Sequence, residues 1–161
     1  MPLNPAFNAP QIVHALSHLD VAHLIIGAEA NASHKPPRPN LPLLETLIPN
    51  LKQSKLESEV VPSLRSVVLV DNSYGRIDMS EYKSIISYGD IMHDGTSGID
   101  LEKVELHPDE VVNIQFTSGT TSLPKAARLS HRSILNNGKS IGDRMLLTGN
   151  DIVCCPPPLF Q

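Results

Sequence analysis

Thr117-Ser118-Gly119-Thr120-Thr121-Ser122-Leu123-Pro124-Lys125 is the stretch on which the reading of this chain turns. Hydroxyl side chains crowd around one glycine, and a lysine follows behind a proline. Gly119 lets backbone approach a ligand closely. Successive N–H groups in such a turn form a concave nest for anions. The Ser and Thr hydroxyls add rotatable donors, and Lys125 adds a compact positive charge. The composition is that of a loop holding phosphate oxygens. The competing reading is a Ser/Thr-rich turn with no ligand, which leaves the order of hydroxyls, Gly, Pro and Lys unexplained.

The flanks place the loop. Val111-Val112-Asn113-Ile114-Gln115-Phe116 reads as a buried strand rich in β-branched residues. Ala126 to Ser130 reads as a short second strand. A Walker loop requires G-x-x-x-x-G-K-[ST] between a strand and a helix. Here the second glycine is missing and Ala126 follows the lysine, so that reading is rejected.

Phe116 to Lys125, continuing through Leu129-Ser130-His131-Arg132, closely resembles the signature of adenylate-forming enzymes, T-S-G-T-T-G-x-P-K followed by L-S-H. That superfamily includes acyl-CoA synthetases, coumarate-CoA ligases, luciferase and peptide-synthetase adenylation domains. Ser122 stands where the family most often has glycine. Pro156-Pro157-Pro158-Leu159-Phe160 resembles the P-P-L-F-H segment beside the acyl pocket, with Gln161 in place of histidine. Leu3 to Pro10 resembles the family's N-P-x-Y/F-x-x-x-E/Q region. The match is most similar to fungal medium-chain-like acyl-CoA ligases.

The resemblance implies a reaction. Such enzymes use Mg-ATP to activate a carboxylic or fatty acid as an acyl-adenylate, then pass the acyl group to a thiol, commonly coenzyme A. ATP, Mg2+ and coenzyme A are the implied cofactors and co-substrates. Thr117, Ser118, Gly119, Thr120, Thr121, Ser122 and Lys125 would hold the ATP phosphates, and Leu159 and Phe160 would border the acyl pocket. The family's later aromatic-Gly-x-Thr-Glu motif, ribose-binding aspartate, hinge and C-terminal lysine have no counterpart here. Residues 1–161 are therefore expected to be part of the N-terminal AMP-binding domain, without the C-terminal domain and inactive alone. No catalytic residue is assigned within them. The alternative is a truncated pseudo-enzyme, at most a nucleotide-binding or interaction module.

Composition fits this picture. At 161 residues one domain is the default, and about two-thirds of the unfolded surface can be buried. A net charge of −4 disfavours nucleic acid as a partner. There is no run of apolar residues long enough to span a membrane. Met1-Pro2-Leu3-Asn4-Pro5 lacks the basic and apolar regions of a secretory signal. The adjacent Cys154 and Cys155 suggest no disulfide framework, which points to a reducing, intracellular setting. Cytoplasm and peroxisome both remain open, because a peroxisomal signal would sit at a missing C-terminus. The sequence carries no signal for oligomeric state.

Along the chain, helix and strand alternate, which predicts an α/β layered domain with a largely parallel sheet and flanking helices. Helices are expected at Ala9–His18, Leu43–Gln53 and His131–Met145. Strands are expected at Val21–Gly27, Ser66–Val70, Val111–Phe116 and Asp151–Cys155. The first three of these strands are expected to be neighbours in one sheet, covered on both faces. Ala30–Pro42 reads as an irregular exposed connection, Tyr82–Ser87 as a helical turn, and Asp94–Gly98 as a loop.

Four other features have simple explanations. His14 and His18 share a helix face, but Ala15 replaces the glutamate of the metalloprotease pattern. Surface or interface histidines account for them. Cys154 and Cys155 read as inert packing in an apolar strand. Asp109 and Glu110 read as a solvated turn rather than paired catalytic carboxylates. His131 and Arg132 read as helix-start residues, with direct ligand contact as the alternative.

Overall fold

The computed structural model describes residues 1–31, 36–93, 104–117 and 125–155. The chain divides into two compact units, Pro5–Gly98 and Met1–Asn4 with Ile99–Gln161. The expected loop at Asp94–Gly98 lies outside the described residues.

The first unit is α/β. Helix α1 spans Ala9–His18. It starts there because Asn8 accepts from the N–H of Gln11 at 2.9 Å while the Gln11 side chain accepts from the N–H of Asn8 at 3.0 Å. This reciprocal capping box, with Pro10 in the first turn, satisfies donors a helix start leaves free. The Asn-Pro run near the N-terminus thus ends in a helix cap. Helix α2, Leu41–Leu47, is shorter than the expected Leu43–Gln53 and begins earlier. Pro42 fits its first turn. Pro49 drives the preceding Ile48 out of the helical region, to φ −136° and ψ 91°, and ends the helix.

Strands β1 (His23–Gly27), β4 (Ser66–Val70) and β5 (Ile85–Ser87) form one sheet in the order β1-β4-β5, with both pairings parallel. Between β1 and β4 lie α2 and a short antiparallel pair, β2 (Glu29–Ala30) with β3 (Arg38–Pro39). The stretch read as an irregular connection therefore contains paired backbone. β5 replaces the helical turn expected at Tyr82–Ser87, and helix α3, Tyr88–His93, follows it against β4 and β5. The central position of β4 explains its unbroken apolar run: Val67, Val68 and Leu69 are all buried. β1 is an edge strand and differs from the expected fully buried one. Leu24 faces the core, whereas Ile25 is 66% exposed.

The described core lies wholly in this unit. Ala15 and Leu16 of α1, Leu44 and Leu47 of α2, Ile48, Leu51, Val61 and the β4 residues are all buried. A polar clasp closes the ends of β1 and β4. Asn72 accepts from the Glu29 N–H and donates to the Glu29 carbonyl, both at 2.9 Å. Asn40 donates to the Gly27 carbonyl at 2.9 Å. Arg76 grips the buried Glu29 carboxylate with two N–H groups, at 2.6 and 3.3 Å. Position 27 is tight, because a Cβ there would lie 2.9 Å from the Asn72 amide and 3.0 Å from the Glu29 carbonyl, so the clasp would have to shift to admit one. Asp71 follows the end of β4 and accepts from the N–H and hydroxyl of Ser73.

The second unit is built on β6 (Val111–Thr117), β7 (Lys125–Ser130) and helix α4 (His131–Met145). β6 does not join β1 and β4 as expected. It pairs antiparallel with β7 in a sheet of their own. The sequence held the sign of this: Val112, Ile114 and Phe116 alternate with Asn113 and Gln115, the period of a strand covered on one face. β6 is exposed or half-buried throughout, and its burial does not follow that alternation: Val112 is exposed, whereas Asn113 and Gln115 are half-buried like Ile114 and Phe116. Asp151–Cys155 forms no strand, and Ile152 is 99% exposed.

Candidate functional site

The hairpin β6–β7 presents the hydroxyl-rich run. Thr117 ends β6 and Lys125 begins β7, and the two residues are paired across the ladder. The Thr117 hydroxyl donates to the Lys125 carbonyl at 3.4 Å. The ends of the motif are thus held side by side, and residues 118–124 are the connection between them. That connection exceeds the 2–5 residues common in hairpins. Ser118, Gly119, Thr120, Thr121 and Ser122 lie outside the described residues, as do Leu159 and Phe160. Lys125 is exposed, and among the described residues no carboxylate forms an ion pair with it.

The opposite end of the hairpin explains the Leu129-Ser130-His131-Arg132 sequence structurally. Ser130 is the N-cap of α4, in a capping box with Ser133. The Ser133 N–H donates to the Ser130 hydroxyl at 3.2 Å, and the Ser130 N–H donates to the Ser133 hydroxyl at 2.9 Å. His131 and Arg132 open the helix, as expected. Their backbone N–H groups donate to the carbonyls of Glu110 and Pro108. The Arg132 guanidinium holds both oxygens of Asp109, at 2.6 and 3.1 Å. Asp109 is therefore tied to Arg132 in an exposed turn and is not paired with Glu110 for catalysis. An open cavity of about 400 Å³ lies beside this helix start, lined by Leu106, His107, Pro108, His131, Arg132 and Leu135.

The hydrogen bonds and charge of Arg132 hold the Asp109 carboxyl below the ordinary aspartate range. A depressed carboxyl pKa stabilises the fold above the ordinary aspartate pKa, and that contribution disappears as pH falls through the depressed value. Carboxyl NMR titration is expected to show an Asp109 midpoint below that of a free aspartate, returning toward it in Arg132→Gln. An unchanged midpoint in the variant would remove the ion pair as its cause.

The other flagged residues do not join this site. His14 and His18 stack at 5.6 Å with their planes 13° apart. Among the described residues no three His, Cys, Asp or Glu side chains gather as a metal site. Cys154 and Cys155 are free and exposed, contrary to the expected packing, and Asp151–Cys155 forms no strand that would bury them. Among the described residues no helix is long and apolar enough to cross a membrane.

Comparison with known proteins gives a consistent result. An acyl-CoA ligase of Aspergillus fumigatus, sidI, is 34% identical over 159 residues, covering 99% of this chain and 25% of the relative. A sidI acyl-CoA ligase of Beauveria bassiana is 65% identical over 54 residues, covering 34% of this chain and 9% of that protein. The putative acyl-CoA synthetase YngI of Bacillus subtilis is 30% identical over 166 residues, covering 99% of this chain and 28% of its own length. The chain spans about a quarter of the length of the A. fumigatus relative. The family model for "AMP-binding enzyme" matches residues 1–161, and the chain belongs to that family.

Proposed function

We propose that residues 1–161 belong to the N-terminal domain of an ATP-dependent acid–thiol ligase, to which they supply the ATP-phosphate loop. The observation that carries this is the pairing of Thr117 with Lys125 across the hairpin, with Lys125 exposed and, among the described residues, in no ion pair with a carboxylate. The acyl-CoA ligase relatives give the reaction class. The substrate would be a small carboxylic or fatty acid, with coenzyme A as the thiol.

ATP supplies an electrophilic α-phosphate and a pyrophosphate leaving group. Acid and nucleotide are both anionic, so their approach requires charge compensation. Lys125 would offset charge on the departing pyrophosphate. Thr117, Ser118, Thr120 and Thr121 would donate hydrogen bonds to the β- and γ-phosphates, and Gly119 would let the backbone approach. Mg2+ is ordinarily bound through one or two carboxylates and the phosphates themselves. The described residues fit the phosphate-holding part of that arrangement and offer no metal cluster. Leu159 and Phe160 would border the acyl pocket.

Positioning of several groups together underlies such catalysis, so a phosphate loop alone gives little rate. The test is acid-dependent exchange of labelled pyrophosphate into ATP, across a panel of fatty and aromatic acids. A longer polypeptide carrying this sequence and the family's later motifs is expected to exchange. The 161-residue chain alone is expected to show none. Exchange by the short chain would show that the missing motifs are dispensable. None by the long one would favour a nucleotide-binding or interaction module.

A further inference from the structure

We propose that Cys154 and Cys155 form a two-thiol chelation site for a soft, three-coordinate centre, of which a monosubstituted trivalent arsenical is the type. Both thiols are free and exposed. Within a strand they would point to opposite faces and could not share one ligand. Asp151–Cys155 forms no strand, so that restriction is absent.

The chemistry selects among ligands for adjacent thiols. The peptide joining the two cysteines is trans. Their Cα atoms are then about 3.8 Å apart, inside the roughly 4.4 Å lower bound for an ordinary disulfide. Direct oxidation to a disulfide is therefore strained. A bridging atom with long bonds to sulfur relieves that constraint, and soft thiolates prefer soft centres. Structural zinc requires about four protein ligands. Among the described residues no third His, Cys, Asp or Glu gathers with this pair. An arsenical already carrying one carbon substituent needs only two sulfurs.

The step balances without an oxidant. Phenylarsine oxide and two thiols give one dithioarsinite and one water. Two S–H bonds and the As–O bonds break, two As–S bonds form, both thiol protons leave with the oxygen, and arsenic stays trivalent. The proposal is independent of the ligase reading.

Phenylarsine oxide added to the 161-residue protein, read by intact mass, tests it. One phenylarsenic unit per chain is expected, retained against excess monothiol and stripped by a dithiol. Cys154→Ser and Cys155→Ser are each expected to lose the retained adduct while their remaining thiol still reacts with iodoacetamide. Retention of the adduct by either single variant would overturn the proposal. So would release by the monothiol, uptake of two units, or failure of the wild-type protein to take up any.

Discussion

Lys125→Ala in a ligase carrying this sequence is expected to lower acid activation about tenfold to a hundredfold. The scale is that of one hydrogen bond to a charged group, about 1.5–3 kcal/mol, with each 1.36 kcal/mol worth about a decade in rate. Lys125 stands at the first position of β7, opposite Thr117, and is exposed. Removal of an exposed lysine from a ligand-free turn costs within about 0.5 kcal/mol of stability and leaves kinetics untouched. Loss of activity without loss of stability is thus the diagnostic result. Ser122→Gly is the companion variant. It restores the residue the family most often has and frees the backbone, so it is expected to be neutral or mildly activating. Steady-state kinetics with ATP varied checks both. Unchanged kinetic parameters for Lys125→Ala would mean that the lysine does not touch the nucleotide.

What was legible in the sequence was what local chemistry decides. α1 and α4 begin and end where expected, because Asn8 with Gln11 and Ser130 with Ser133 fix their starts within a few residues. The two strands flanking residues 118–124 were also readable, since both announce themselves by composition. Partner choice was not. Val111–Phe116 looked like Ser66–Val70 in its β-branched content, yet one pairs locally with β7 and the other is the centre of a parallel sheet. Propensity describes a strand's surface and says nothing of its neighbour. α2 failed at its end for a different reason: Pro49 acts one residue upstream of itself, on Ile48. Asp151–Cys155 is apolar enough for a strand, but apolar character alone supplies no ladder partner. The clasp of Gly27, Glu29, Asn72 and Arg76 joins residues distant in sequence. A glycine and three polar residues at those separations give no local signal.

The uneven distribution of the core sets the second large effect. Leu44 is fully buried in α2, and Leu16, Leu47, Ile48 and Val67 of the same unit are also fully buried. Leu44→Ala removes apolar contacts and leaves a cavity that close-packed neighbours only partly fill. The expected cost is about 2–5 kcal/mol, a large share of a stability that totals roughly 5–15 kcal/mol for a typical domain. Leu135 of α4 provides the contrast, because its side chain is 69% exposed and it is equally apolar. Leu135→Ala is expected to change stability by less than about 0.5 kcal/mol. Urea unfolding of the 161-residue chain, followed by far-UV circular dichroism, separates the two. A falling midpoint with unchanged slope for Leu44→Ala, beside an unmoved midpoint for Leu135→Ala, is the expected pair. Equal losses would mean that α4 packs into a core of its own. In that case the hairpin bearing Thr117 and Lys125 would owe its stability to buried contacts rather than to its ladder, the α4 capping box and the Asp109–Arg132 pair.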